Sequence, residues 1–198
     1  MNTECNVAVA SDVRTDLEGW LTQVEASRFW FQHRVLPLSI EQLRWRPDLR
    51  RWSVAECLDH LNLTLDLYLP KIEDAILRGR HKEESTPCSH CDRAELEALR
   101  SLEPPVTMAG PAPPATMPNA AIDFDCLVDH FHRSRDRYLG TVHRSAGLDL
   151  LRIRIAEPVY PMILTLGGTL ALIAAHDRRH MWQAERVIRS PRFPRPAF

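Results

Sequence analysis

Proline decides where this chain can be helical. Seven of its fifteen prolines fall between residues 80 and 121, and the run from Glu103 to Asn119 is mostly Pro, Ala, Thr and Met. Proline has no amide donor and clashes with the preceding turn, so this stretch reads as a long crossover or flap. One short helix is expected inside it, at Asp92 to Leu102, with Asp92 as cap and Glu95 at N3. Outside the crossover, helical spacing dominates.

Four long helical patterns stand out. The first follows Asp12, a candidate N-cap, and runs to about His33; Leu17, Leu21, Val24 and Phe31 share a stripe, with Trp20 beside it. A broken segment between Pro37 and Pro47 holds Ser39-Ile40-Glu41-Gln42, a capping-box pattern. The second helix starts at another capping box, Ser53-Val54-Ala55-Glu56, with Trp52 and Cys57 placed as a hydrophobic staple. Its stripe is Val54, Leu58, Leu61, Leu65 and Tyr68; Pro70 should kink or interrupt it, and Gly79 can end it. The third follows Asp123, with Phe124, Leu127, Phe131, Tyr138 and Val142 in helical spacing until Gly147. Leu148 to Ile155 alternates in part and reads as extended. The fourth helix runs from about Gly168 to Arg189, and the Pro/Arg ending at 190–198 reads as a loosely held tail. Four long helices joined by one long crossover imply an all-α, four-helix-bundle fold with the crossover between helices 2 and 3, as a single domain over 1–198.

Composition removes several function classes. With 198 residues, 44% of them hydrophobic, the chain is not largely disordered. A net charge of −1 gives no footprint for general nucleic-acid binding. Neither a GxGxxG or GxxxxGK[ST] phosphate loop nor a GxSxG nucleophile elbow is present. The uncharged stretch from Pro158 to Ala175 is broken by Pro and Gly and reads as buried rather than membrane-spanning. No basic n-region precedes an apolar run at the start, so a cytoplasmic location is expected. Five cysteines, an odd number, argue against a disulfide framework.

Nine histidines are the feature that bears on chemistry. In His176-Asp177-Arg178-Arg179-His180 two imidazoles stand at i and i+4, one above the other on a helix face, a spacing that chelates one ion. Asp177 replaces the Glu that follows the first His in HExxH, so the segment is not a zincin motif. Two His fill two positions, and a third ligand must come from elsewhere. His60, on the apolar part of the second helix, is the best candidate, although a lone His there reads first as a hydrogen-bonded core residue.

Neighbouring polar residues are weighed the same way. Glu56 and Gln183 are the candidate catalytic groups: Glu56 lies one turn before His60, and Gln183 three residues after His180. The plainer role for Glu56 is the capping box, and Asp177 reads as a solvated helix-face residue. Asp59 is a further candidate neighbour of the site. Cys88-Ser89-His90-Cys91, with His81 nearby, offers at most three ligands without a second CxxC and reads as surface thiols. Cys57 and Cys126 read as core packing, as do Trp30, Trp45, Trp52 and Trp182. His130 and His132 point to different faces, and His33 and His143 read as surface or helix-end residues. The local excess of Arg after Asp177 is what a helix C-terminus attracts anyway.

Trp52-Ser53-Val54-Ala55-Glu56-Cys57-Leu58-Asp59-His60-Leu61 resembles the second-helix signature of the DinB/YfiT-like superfamily, and His176-Asp177-Arg178-Arg179-His180-Met181-Trp182-Gln183 resembles its last-helix signature. The order and the separation of the two motifs also fit. The resemblance implies a DinB-like four-helix bundle and a divalent metal, zinc or nickel first, held by His60, His176 and His180 with an open position. It implies a homodimer, with a small-molecule substrate and a low-molecular-weight thiol as partners, in a thiol-dependent S-transferase or isomerase. A metal-dependent hydrolase and a non-enzymatic stress-response metal-binding protein are the alternatives.

Overall fold

A computed structural model describes residues 12–80, 89–106, 110–119 and 121–195. The chain forms α1 (Leu17–Trp30), continued by a π-helical turn over Phe31–Val35, then α2 (Ile40–Arg44), α3 (Val54–Arg80), α4 (Ser89–Leu102), a 3₁₀ turn (Pro114–Thr116), α5 (Phe124–Ser145), β1 (Arg154–Ala156), β2 (Ile163–Thr165) and α6 (Leu166–Ile188). None of these helices is long and apolar enough to cross a membrane.

The long helices α1, α3, α5 and α6 form the expected bundle. Side-chain partners give their directions. Gln23 meets Arg178 and Trp30 meets Glu185, so α1 and α6 run parallel. Asn62 meets Ser134 and Glu73 meets Arg144, so α3 and α5 run parallel too. Arg28 pairs with Asp136 while Phe31 stacks on Phe131, so α1 and α5 are antiparallel. Two consecutive long helices that run parallel need a connection as long as themselves, and the Pro-rich segment is that connection.

Caps set the boundaries. Asp16, not Asp12, caps α1, accepting from the Gly19 amide at 2.9 Å. Asp12 instead opens the preceding turn, taking the Thr15 amide on its carbonyl and the Arg14 side chain on its carboxylate. Both capping boxes form: Ser39 with Gln42, and Ser53 with Glu56. Pro70 does not interrupt α3, which runs unbroken past it. It lies on the exposed face, where water can satisfy the carbonyl of Asp66 that loses its helical partner. Asp123 caps α5, and Gly147 follows that helix at φ 81°, the left-handed conformation glycine adopts freely.

The crossover helix begins at Ser89, earlier than expected, so Glu95 is not at N3. Glu95 is 1% exposed and binds the start of α6, accepting from the Thr165 amide at 2.6 Å and from its hydroxyl at 3.0 Å. Its other oxygen takes Arg14 Nη1 at 3.2 Å. The glycine pair at 167–168 permits this approach: a Cβ on Gly168 would meet the Glu95 carboxylate at 1.8 Å, and one on Gly167 the Arg14 carbonyl at 1.9 Å. The expected extended stretch yields only a small hairpin, with Ile155 opposite Leu164, that leads directly into α6.

The core has two parts. One is built around Leu65, Tyr68, Ile72, Tyr138 and Leu170; the other around Phe31, Leu58, Phe131, Ala184 and Val187. Cys57 belongs to the second, but Cys126 is exposed, contrary to expectation, because in the first turn of α5 Phe124 and Leu127 face the core and Cys126, with Asp125, faces away from it. The Pro/Arg ending is packed at Phe193, which is buried edge-on against Trp45, while the Pro194 carbonyl accepts from Gln42.

Candidate metal centre

The centre begins at the start of α3. Glu56 accepts the Ser53 amide at 2.8 Å and is clamped by the Arg46 guanidinium on both oxygens. The guanidinium and the capping bonds hold its carboxyl below the usual range against the opposing effect of burial. Both Glu56 oxygens are thus engaged in fixing the helix start. That start aims Trp52, whose ring lies tilted over His60 with centroids 4.8 Å apart and stacked on His180 at 5.8 Å.

His60, His176 and His180 come together between α3 and α6. Each offers one ring nitrogen, and the three lie within 4.8 Å of one another, the one such grouping of metal-ligating side chains among the described residues. His176 Nε2 is 3.1 Å from both His60 Nε2 and His180 Nε2. His60 is 4% and His180 6% exposed.

Proton counting decides what this cluster suits. His60 Nδ1 lies 2.6 Å from the Thr116 carbonyl, which can only accept, so the Nδ1 proton is donated there and neutral His60 keeps a lone pair on Nε2. His176 Nε2 can point one N–H at one neighbour, so at most one of the two 3.1 Å contacts is a well-directed hydrogen bond. A cation among three lone pairs satisfies all of them, and neutral imidazole is the metal-binding form. Burial pushes all three imidazoles below their ordinary pKa, and the nearby Arg179 guanidinium adds to this. The donor set therefore fits a divalent ion.

Around the rings lies a polar layer. Asp59 accepts the Asn119 amide at 2.8 Å. Asp177 is not solvated: it is 4% exposed, 2.8 Å from Arg135 Nη2 and 2.9 Å from the Ser27 hydroxyl. Arg135 Nη1 also reaches Asn62 Oδ1 at 3.1 Å. Gln183 is half-buried beside His180 and favours its protonated form, while His180 Nδ1 has no partner within hydrogen-bond geometry.

The other described histidines stay apart. His130 pairs with Asp66 at 3.0 Å, His132 lies edge-on to Phe31 and Phe131, His33 stacks on Phe29, and His143 is exposed in the last turn of α5. His81 and Cys88 lie outside the described residues, as do the side chains of His90 and Cys91. Sequence reasoning missed Trp52, Arg135 and the Thr116 carbonyl as parts of the surroundings.

A family model described as the DinB superfamily matches residues 23–184, a span that includes all three histidines and every long helix except the first residues of α1 and the last of α6. No curated protein and no solved structure matches the chain.

Proposed function

The chain belongs to the DinB superfamily, and from that membership and the three-His cluster we propose that it is a divalent-metal-dependent enzyme using a low-molecular-weight thiol, an S-transferase or isomerase. His60, His176 and His180 are the ligands in this reading, with zinc or nickel the first metals to try. The observation that carries it is the convergence of three imidazoles, with His176 Nε2 3.1 Å from both His60 Nε2 and His180 Nε2.

Structural metal sites usually close with four protein ligands, whereas three ligands leave a position for a reactant. A bound ion would supply Lewis acidity there, lowering the pKa of a coordinated thiol or water. The protein's own residues do the rest. Trp52 walls one side of the imidazoles and keeps water from them. The Glu56 cap fixes where α3, and so His60, begins. Arg179 places a positive charge near the cluster, favouring an anionic reactant.

Elemental analysis of the purified protein is expected to give about one divalent ion per chain, and His60→Ala, His176→Ala and His180→Ala are each expected to lose it. Full metal content in all three variants would sink the metal site. Titration of the loaded protein with mycothiol, bacillithiol and glutathione then tests the thiol. Binding of none of them would remove the transferase reading and leave a hydrolase or a non-enzymatic metal-binding protein.

A further inference from the structure

Among the described residues, the Pro-rich crossover meets His60 and its neighbour Asp59 through backbone groups at Thr116 and Asn119. His60 Nδ1 donates to the Thr116 carbonyl at 2.6 Å, and Asp59 Oδ2 accepts the Asn119 amide at 2.8 Å. Thr116 is 2% exposed. Its carbonyl is aimed by a 3₁₀ turn in which the Thr116 amide donates to Pro113 O at 3.0 Å and the Met117 amide to Pro114 O at 3.3 Å. Pro113, Pro114 and Pro118 fix φ around this turn, so little conformational freedom is lost when it docks.

From these contacts we infer that residues 113–119 are a positioning strap for the three-His centre: the Thr116 carbonyl holds His60 as the Nδ1-protonated tautomer, with Nε2 free for a ligand, and the Asp59–Asn119 bond holds the strap in place. The chemistry requires such a group. Free neutral imidazole in water favours neither tautomer strongly, and the ring can also rotate about its side-chain bonds. A carbonyl on Nδ1 removes both freedoms. The residues that orient ligand histidines in known metal sites act through this bond, and their loss typically costs about 10–100-fold in metal affinity. Here the acceptor is main chain, so it is invisible in residue identities. What the sequence carries instead is its support, Asp59 and the proline-bounded turn. The metal part of this inference rests on the proposed function; the tautomer part does not.

The experiment uses the full chain, metal-free, at about pH 8, where histidines with an ordinary pKa are neutral. Nitrogen-15 NMR of the imidazoles, with His60→Gln to assign the signals, reads the tautomer directly. Wild type is expected to show His60 protonated on Nδ1. Asp59→Ala removes a half-exposed side chain that is not in the core and is expected to let the Nε2-protonated form appear. The same variant is expected to bind zinc about tenfold or more weakly, while Asp66→Ala, elsewhere on the surface of α3, leaves both readouts unchanged. An Nε2-protonated His60 in wild type overturns the strap, as does an Asp59→Ala protein with an unaltered tautomer. A wild type that shows the expected tautomer and its loss in Asp59→Ala, yet binds no divalent ion, supports the strap and sinks the metal reading instead.

Discussion

Arg135 of α5 and Asp177 of α6 form an ion pair 2.8 Å apart, with side chains 1% and 6% exposed. Asp177 is the residue after His176, so the pair pins the helix that carries two members of the cluster against its neighbours. Ser27 and Asn62 complete it from α1 and α3, which makes it a junction of all four bundle helices.

Breaking one half of this junction strands a buried charge. Asp177→Ala and Arg135→Ala are each expected to destabilise the fold by about 3–5 kcal/mol in chemical denaturation. The double variant Arg135→Met with Asp177→Leu, which buries no charge, is expected to be less damaging than either. Additive losses in the double variant would show that the two residues act independently.

Acid is expected to loosen the cluster before it affects the rest. The three imidazoles are held below their ordinary pKa of 6.5, so at a given pH the unfolded chain takes up more protons. Their contribution to stability is therefore complete above about pH 6.5 and is lost as pH falls toward the folded values. Glu56 and Glu185 are held below the ordinary carboxyl value of 4.5, and their contribution is lost at lower pH still. Melting temperatures of metal-free protein are expected to fall from pH 7 to 5. A flat profile over that range would contradict the burial of the imidazoles as neutral groups.

The two described cysteines should behave oppositely. Cys57 is buried and burial pushes its thiol well up, whereas Cys126 is exposed. Brief iodoacetamide treatment of native protein is expected to label Cys126, and Cys57 only after denaturation. Peptide mass spectrometry distinguishes them, and early labelling of Cys57 would mean that α3 is not packed as described.

Glu95 is the test of how firmly the crossover helix is docked. Glu95→Ala leaves the buried Thr165 amide without its acceptor and takes one of two carboxylate partners from Arg14, which keeps Asp12, and is expected to cost about 1–3 kcal/mol. Glu95→Gln retains an acceptor and should lose less. A change under about 0.5 kcal/mol, typical of an unconstrained surface position, would show that α4 does not hold the start of α6.

The bundle was legible because its signals are local: capping boxes at Ser39 and Ser53, stripes at helical spacing, and prolines that, Pro70 apart, fall outside the long helices. The three histidines were legible for a related reason, since i,i+4 spacing and an apolar-flanked His60 are visible along the chain. Long-range partners were less so. Asp177 follows Ile173 by four residues and precedes His180 and Ala184 on the buried stripe of α6. Arg135 likewise falls between Phe131 and Tyr138 on that of α5. Two opposite charges on two buried stripes are a readable sign of a pair, but Asp177 taken by itself reads as a solvated helix-face residue, and nothing next to Arg135 in the sequence points to it. The Thr116 carbonyl left no such trace, because every residue has one. Glu95 was misplaced because a cap reading uses only neighbours in sequence, while its partners lie 81 and 70 residues away.

The cluster's histidines are divided two and one, with His60 and His176 separated by 116 positions. A loose chain can still bring His176 and His180 together whenever one helical turn flickers into being, but it must close a very long loop to add His60. An ion held by all three would thus resemble a reversible cross-link. Most of its preference for the native form would come from that single remote imidazole, and free metal concentration would set how tightly α3 and α6 are tied.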